Sequence, residues 1–364
     1  MKVVLLHDWL TGFRGGERIL EALCELFPEA PIYTLLHKKG STSKIIESKE
    51  IVTSFLDKIP GSHENYRKFL PLMPRAASCL HIKHEADLVI SSSHCVIKGV
   101  RKPKNAKHIC YIHSPMRYIY DQFDNYFGQT SLPIKMAAYA MRPYLQWWDH
   151  RSNKNVDLFI SNSNFVKQRV FDYYQRKSVV VHPFVDLKDF KIIQNQAPEK
   201  DHYFLMVTAF APNKRVDMAL EAFRILGSDY KLKIIGAGSS DEIEKLSKMA
   251  SSNVEFLGSL PREEVIQHFA KAKAFIFPGV EDFGITPLES LASGTPVIAY
   301  KAAGVLDTLT DQTADFFETP SAGELAQSIK NFNAQRFTTK SLYDRASSFS
   351  KDKFKSEILA FCRP

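Results

Sequence analysis

Glu281-Asp282-Phe283-Gly284-Ile285-Thr286-Pro287-Leu288-Glu289 decides the fold class of this chain, because the residues on either side complete one repeating unit. Ala274-Phe275-Ile276-Phe277 is a short apolar run closed by Pro278, which reads as a buried parallel strand. Thr286 suits a helix N-cap and Pro287 the first helical position. Gly294 and Pro296 then mark a stop before the next strand, Val297-Ile298-Ala299. In such strand, loop, helix, strand units, ligands gather beyond the carboxyl ends of the strands, where the amides of Phe283, Gly284 and Ile285 face an anion. Glu281 falls in the loop and Glu289 one turn into the helix. Two carboxylates flanking an anion site fit a ligand with hydroxyls on both sides of a phosphate, which describes a nucleotide sugar. Thr286-x-x-Glu289 is also a capping box, in which the carboxylate only ties up a backbone amide.

The same alternation runs through the whole chain, as α/β layers with parallel sheets require. Strands are read at 2–6, 32–35, 87–91, 108–112, 158–161 and 179–181, then at 204–208, 231–235, 254–257, 274–277, 297–300 and 315–317. The stretch 183–201, with Pro183, Asn195, Pro198 and several charges, reads as an interdomain linker. A last helix over 342–362 has Phe349, Phe354, Ile358 and Phe361 as apolar anchors.

Composition agrees. The chain has 364 residues, 45% hydrophobic and 24% charged, which suits two ordinary globular domains. Five cysteines with no C-x-x-C spacing predict reduced thiols and a cytoplasmic protein. His81, His84, His94 and Cys95 lie close in sequence, but no second ligand pair at zinc spacing accompanies them, so no metal is expected. The first residues enter a strand directly and no apolar run has transmembrane length, so neither a signal peptide nor a membrane span is expected.

Charge is uneven. Residues 1–180 carry 26 Lys and Arg against 16 Asp and Glu, whereas the remainder carries 22 against 24. A basic half favours an anionic partner, and with no zinc-finger, helix-turn-helix or RNP pattern, nucleic acid is disfavoured and an acidic lipid surface fits better. In 132–148, Ile134, Ala138, Met141, Leu145 and Trp148 form one apolar helical stripe, while Lys135, Tyr139, Arg142 and Gln146 line another face. Such a helix, with Tyr144 and Trp147 beside it, suits either peripheral contact with an anionic membrane or packing on the first sheet.

Two further segments follow strands. Lys214 and Arg215, in Pro212-Asn213-Lys214-Arg215-Val216-Asp217, stand where two cations neutralise a diphosphate; a solvated pair is the plainer reading. Gly12-x-x-Gly15-Gly16 follows the first strand. It lacks the dinucleotide fingerprint, and serves either a tight turn or close approach of a ligand to backbone.

Pro278-x-x-Glu281-Asp282-Phe283-Gly284-Ile285-Thr286-Pro287-Leu288-Glu289, followed by Ala292-Ser293-Gly294-Thr295-Pro296-Val297-Ile298-Ala299, resembles the signature of family 4 retaining glycosyltransferases of GT-B fold, and the similarity extends over essentially the whole chain. The resemblance implies an α/β architecture of two Rossmann-like domains with parallel sheets facing across a cleft. It divides the chain into 1–185 for the acceptor, 186–341 for the nucleotide sugar, and a terminal helix, 342–364, crossing back to the first domain. It also implies that Glu281 touches donor sugar hydroxyls, that Glu289 takes the ribose, and that the backbone around Phe283, Gly284, Ile285 and Thr286 holds sugar and phosphate. Lys214 matches the diphosphate segment. Where the family usually has an arginine five residues earlier, this chain has Ala209, so Arg215 is expected to supply the guanidinium. Gly15 and Gly16 match the loop near donor phosphates and acceptor, and His113 matches a histidine that hydrogen-bonds the donor sugar. Gly236 and Leu257 are expected on the nucleotide side, and Asp8, Arg117 and Asp121 at the acceptor.

His7-Asp8-Trp9-Leu10, Gly15-Gly16-Glu17-Arg18 and Lys214-Arg215-Val216-Asp217 look most like bacterial mannosyltransferases of lipid-linked surface polysaccharide assembly. The expectation is therefore metal-independent transfer of a hexose, mannose from GDP-mannose, to a lipid-linked or polysaccharide acceptor. A UDP-hexose or UDP-N-acetylhexosamine enzyme, a sugar-nucleotide epimerase and a non-catalytic nucleotide-sugar-binding protein are the alternatives.

Overall fold

Apolar runs of four to six residues that are buried on both faces become central strands of parallel sheets. The computed structural model, which describes residues 1–128, 130–190 and 199–362, contains two such sheets. The first has β1 (Val3–His7), β2 (Ile32–Thr34), β3 (Ile51–Thr53), β4 (Leu88–Ser93), β5 (Lys107–Ile112), β6 (Leu158–Ser161) and β7 (Ser178–Val180), in the order β3-β2-β1-β4-β5-β6-β7. The second has β8 (Tyr203–Val207), β9 (Lys231–Ile235), β10 (Val254–Gly258), β11 (Ala274–Phe277), β12 (Val297–Tyr300) and β13 (Ala314–Phe317), in the order β10-β9-β8-β11-β12-β13. Every pairing is parallel, with β1 beside β4 from Val3↔Leu88 to His7↔Ser92, and β11 beside β8 at Ala274↔Phe204. In each sheet the order reverses once, at β1/β4 and at β8/β11. Loops diverge there, so each reversal leaves a crevice beyond the carboxyl ends.

Contacts divide the chain into two units, Met1–His182 with the chain from Phe354 onward, and Pro183–Lys353. The first has cores around Leu6, Tyr33 and Val89 and around Phe159 and Val166. The second has cores around Phe269, Phe275 and Leu288 and around Phe204, Phe223 and Ile298.

Four sequence expectations change. The short strand β3 was not foreseen. The described part of the stretch read as a linker is packed: the Val185 amide donates to Phe349 O (3.0 Å), and Val185 and Phe190 are buried in a core of the second unit. Asn195 and Pro198 lie outside the described residues. The single last helix is two, Thr339–Ser347 and Lys351–Cys362. Serines interrupt it by competing for backbone groups, Ser348 Oγ donating to Arg345 O at 2.7 Å. Phe349 consequently falls between the helices and packs against Phe283, with ring centroids 5.8 Å apart.

The basic helix is longer than expected, Leu132–Ser152, and sits differently. Leu145 and Trp148 are buried, but Ile134, from the same stripe, is exposed. Arg142 and Gln146, expected on a polar face, turn inward: Arg142 Nε donates to Ile119 O (2.8 Å) and Nη2 to Tyr120 O (2.9 Å), while Gln146 Nε2 donates to Ile119 O (2.6 Å).

Candidate functional site

In the second unit, the loops leaving β8 and β11 are bound together. The Val280 amide donates to Asn213 O at 3.0 Å. A Cβ on Gly279 would lie 2.5 Å from Asn213 O and 2.8 Å from Lys214 Cα, so glycine alone permits this approach. The contact brings Lys214 Nζ to 2.5 Å from Glu281 Oε1, each side chain about one-fifth exposed (22% and 19%). An ammonium has three donors, and this charge-assisted bond uses one of them. Arg215 turns the chain from Pro212–Lys214 into the helix Val216–Leu226 with φ 54°, a left-handed backbone costing a non-glycine residue roughly 1–2 kcal/mol. Its Nε lies 3.3 Å from Asp217 Oδ1.

The helix after β11 is Ile285–Ala292, and its N-cap is Gly284 at φ 91°. Thr286 therefore lies inside the first turn, and the expected capping box loses its cap residue. Glu289, too buried to stand alone, sits with Oε1 2.7 Å from Arg262 Nη1. Arg262 in turn reaches Asp189 Oδ2 (Nε, 3.3 Å) and lies over the Phe190 ring (5.3 Å). Phe283 places its ring in the core, so a ligand can meet only its backbone. Gly304 braces the loop, its amide donating to Glu281 O at 3.0 Å, and a Cβ there would fall 2.2 Å from Asp282 O. Gly236 is equally constrained, with φ 152° and a Cβ position 1.7 Å from Thr208 O, while Leu257 is half-buried against the core.

In the first unit the crevice at β1/β4 collects histidines. His7 is buried, with Nδ1 3.2 Å from Ser92 Oγ, and Ser92 Oγ lies 2.7 Å from His113 Nε2. His113 is partly exposed just past β5. Burial, with the positive fields of His94, His7 and Arg117, holds its ring well below the ordinary histidine range, hence neutral at pH 7. Gly15 and Gly16 open the helix Gly15–Leu26, and a Cβ on Gly16 would lie 3.5 Å from His7 Cε1 and 3.8 Å from His113 Nε2. That glycine leaves space above the imidazoles.

Asp8 is not an acceptor ligand here. It is fully buried, with Oδ2 accepting the amides of His94 (2.7 Å) and Cys95 (3.0 Å) and Oδ1 those of Val96 and Ile97 (both 2.8 Å). Its charge staples the turn after β4. Asp121 Oδ1 pairs with Arg169 Nη2 (2.5 Å), whose Nη1 donates to Ser114 Oγ (2.8 Å); Arg117 Nε reaches the same hydroxyl at 3.4 Å. Arg117 and Asp121 thus belong to one polar cluster beside His113. Among the described residues no group of three or more His, Cys, Asp or Glu is placed to hold a metal ion.

Two family models cover most of the chain, "Glycosyltransferase Family 4" over residues 13–189 and "Glycosyl transferases group 1" over 188–349. The chain belongs to the family 4 glycosyltransferases. A relative, the O-antigen chain mannosyltransferase RfbU of Salmonella typhimurium, is 29% identical over 170 residues, 44% of this chain and 47% of that protein. The Alpha-1,3/1,6-mannosyltransferase ALG2 of Saccharomyces cerevisiae is 25% identical over 222 residues, 48% of this chain and 44% of that one. The matches thus span about half the length of these relatives. Sucrose-phosphate synthase from Thermosynechococcus elongatus has the same fold, with TM-score 0.76 at 17% identity, covering 100% of this chain and 98% of that one. The two parallel-sheet units are those of a GT-B glycosyltransferase.

Several residues that build this glycosyltransferase's crevices escaped sequence reading. Gly279 carried a signal, since Pro278-Gly279 is a turn dipeptide. Glu17 follows the glycine pair directly. Arg262, Ser92 and Gly304 carried none, because each acts on a partner distant in sequence.

Proposed function

We propose that this glycosyltransferase moves a hexose, mannose from GDP-mannose, onto a hydroxyl of a lipid-linked or polysaccharide acceptor, with retention at the anomeric carbon and without a metal. The observation that carries this reading is the Lys214–Glu281 pair at the β8/β11 reversal, a cation and a hydroxyl-binding carboxylate fixed side by side above a helix start. As the bond from the anomeric carbon to the diphosphate breaks, Lys214, Arg215 and the amides at Ile285 and Thr286 stabilise the leaving group. The acceptor hydroxyl attacks from the face that the diphosphate leaves, passing its proton to a departing phosphate oxygen. Support for a front-face route over a covalent one comes from the carboxylates, each already engaged: Glu281 by Lys214, Glu289 by Arg262 and Asp8 by four amides. His113 meets a hydroxyl of the transferred sugar. The mannose assignment draws on relatives named as mannosyltransferases.

The test offers GDP-mannose, UDP-glucose and UDP-N-acetylglucosamine, each with and without a polyprenyl-diphosphate glycan, and follows nucleotide release with excess EDTA present. Release of GDP only with acceptor, yielding an α-linked product from the α-configured donor, is the expected result. Donor consumption without acceptor would favour an epimerase, release from a UDP-sugar alone would reassign the donor, and a β-linked product would overturn retention.

A further inference from the structure

Four side chains in the first unit line up outside the set assigned above to donor and acceptor, apart from the last of them. Glu17 Oε1 lies 3.7 Å from His7 Nε2, His7 Nδ1 lies 3.2 Å from Ser92 Oγ, and Ser92 Oγ lies 2.7 Å from His113 Nε2. His7 is wholly buried and its Nε2 has no hydrogen-bond partner. The carboxylate facing that nitrogen is Glu17, itself only 6% exposed.

A serine hydroxyl between two imidazoles has one proton, so it donates to one ring and accepts from the other. The direction of the whole chain is therefore a single choice. We propose that Glu17 makes that choice, fixing through His7 and Ser92 the tautomer in which His113 is protonated on Nε2 and presents Nδ1 to substrate as a hydrogen-bond acceptor. A carboxylate facing His7 Nε2 favours the proton on that nitrogen, leaving Nδ1 to accept from Ser92 Oγ–H. Ser92 Oγ must then accept from His113 Nε2–H, and the lone pair of His113 is on Nδ1.

Neighbouring charges do not reverse the choice. Asp8 is saturated by amides, with His94 Nδ1 3.4 Å from its Oδ2, and the His94 ring lies 6.4 Å from His7 and 6.2 Å from His113. Arg117 adds a positive field that keeps His113 neutral. Glu17 is held below the ordinary carboxylate range: burial opposes ionisation, but the His7 contact and the amides at Arg14 and Glu17 outweigh it. Glu17, His7 and Ser92 are thus positioning residues for His113.

Glu17→Gln separates this proposal from a purely structural role. Glu17 Oε2 accepts the Arg14 amide at 2.8 Å. A glutamine keeps its carbonyl there, which turns its NH2 toward His7 Nε2 and reverses every donor in the chain. Nitrogen-15 long-range NMR of the full-length protein, with His113 assigned by His113→Gln, reads the ring directly. The expected result is an Nε2–H tautomer in the parent and an Nδ1–H tautomer in Glu17→Gln, with Ser92→Ala giving a mixture. An Nδ1–H parent, or a tautomer indifferent to both substitutions, overturns the proposal. The catalytic consequence rests on the transferase reading: Glu17→Gln raises donor KM roughly 3- to 10-fold with kcat less affected. A reversed tautomer with unchanged KM would confirm the relay and remove His113 from the sugar site.

Discussion

Deleting one positive charge has opposite consequences at Lys214 and Arg262, and burial decides which. Lys214 and its partner Glu281 both keep solvent contact, so Lys214→Ala leaves a carboxylate that water can solvate. Thermal stability should then change little, while on the proposed function the loss of a charge-assisted bond to the diphosphate, about 1.5–3 kcal/mol, should lower kcat/KM by roughly 10- to 150-fold. Arg262 faces a glutamate that is 7% exposed, and Arg262→Ala would remove the ion-pair partner of that nearly buried carboxylate. A thermal midpoint lowered by several degrees, for a loss of about 2 kcal/mol, is expected in that variant. Equal midpoints for the two variants, read by differential scanning calorimetry, would remove the distinction. Arg215 belongs with Lys214 in the proposed site: its left-handed backbone is strained, and Arg215→Gly is expected to relieve that strain while lowering turnover in a nucleotide-release assay.

At the scale of elements, β5 carries a pH dependence of its own. His108 is buried, with Nδ1 2.8 Å from Asn155 O and Nε2 2.9 Å from Ser91 Oγ, and burial pulls its pKa from 6.5 down to about 4. Above pH 6.5 the ring is neutral both folded and unfolded, and its contribution is complete. As pH falls below 6.5 the unfolded chain takes up a proton that the native strand refuses, so stability is lost progressively, reaching roughly 3 kcal/mol near pH 4. Between pH 7 and pH 5, urea midpoints should fall in the parent and fall less in His108→Asn, the difference isolating this ring from His113, which titrates in the same direction. Legibility follows the same locality. Buried strands such as β11 and β12 were visible as apolar runs with glycine and proline at their ends, because both faces are covered. The short β3 was not, since Ile51, Val52 and Thr53 are only half-buried and pair along one edge. In the loop after β11 the helix start was misplaced: Gly284 takes a positive φ in a loop braced by Gly304, twenty residues away in sequence. Asp8 misled for a related reason, because the amides that saturate it come from the turn after β4.

At the scale of the molecule, the surplus of positive charge over residues 1–180 favours an anionic partner, and the helix Leu132–Ser152 is the face on which that can be tested. No helix among the described residues is long and apolar enough to cross a membrane. The helix's inner side is committed to the first unit, with Leu145 and Trp148 buried and Asp149 paired with Lys98 and accepting from Tyr120 OH at 3.0 Å. On its outer side Leu132 (70% exposed), Met136 (63%), Tyr139, Pro143 and Trp147 (56%) follow one another at helical spacing. Asp149 is the helix's only carboxylate and points inward, as does Arg142, whereas Lys135 and Arg151 are its remaining Lys and Arg cations, Arg151 lying 5.6 Å over the Trp147 ring. An apolar row flanked by cations and free of exposed acid matches an anionic lipid surface better than a neutral one. The full-length protein is therefore expected to float with vesicles containing phosphatidylglycerol at low salt and to be released as salt screens the attraction. Met136→Glu with Trp147→Glu should reduce bound protein by at least about tenfold, since each carboxylate must enter the interface uncompensated. Lys135→Glu weakens binding less, through charge alone. Arg142→Glu is the wrong probe, because its guanidinium holds the Ile119 and Tyr120 carbonyls, so that change tests folding. Equal flotation with purely phosphatidylcholine vesicles would remove the charge argument, and absence of flotation together with a concentration-dependent dimer lost in the double variant would assign this face to a second copy of the chain.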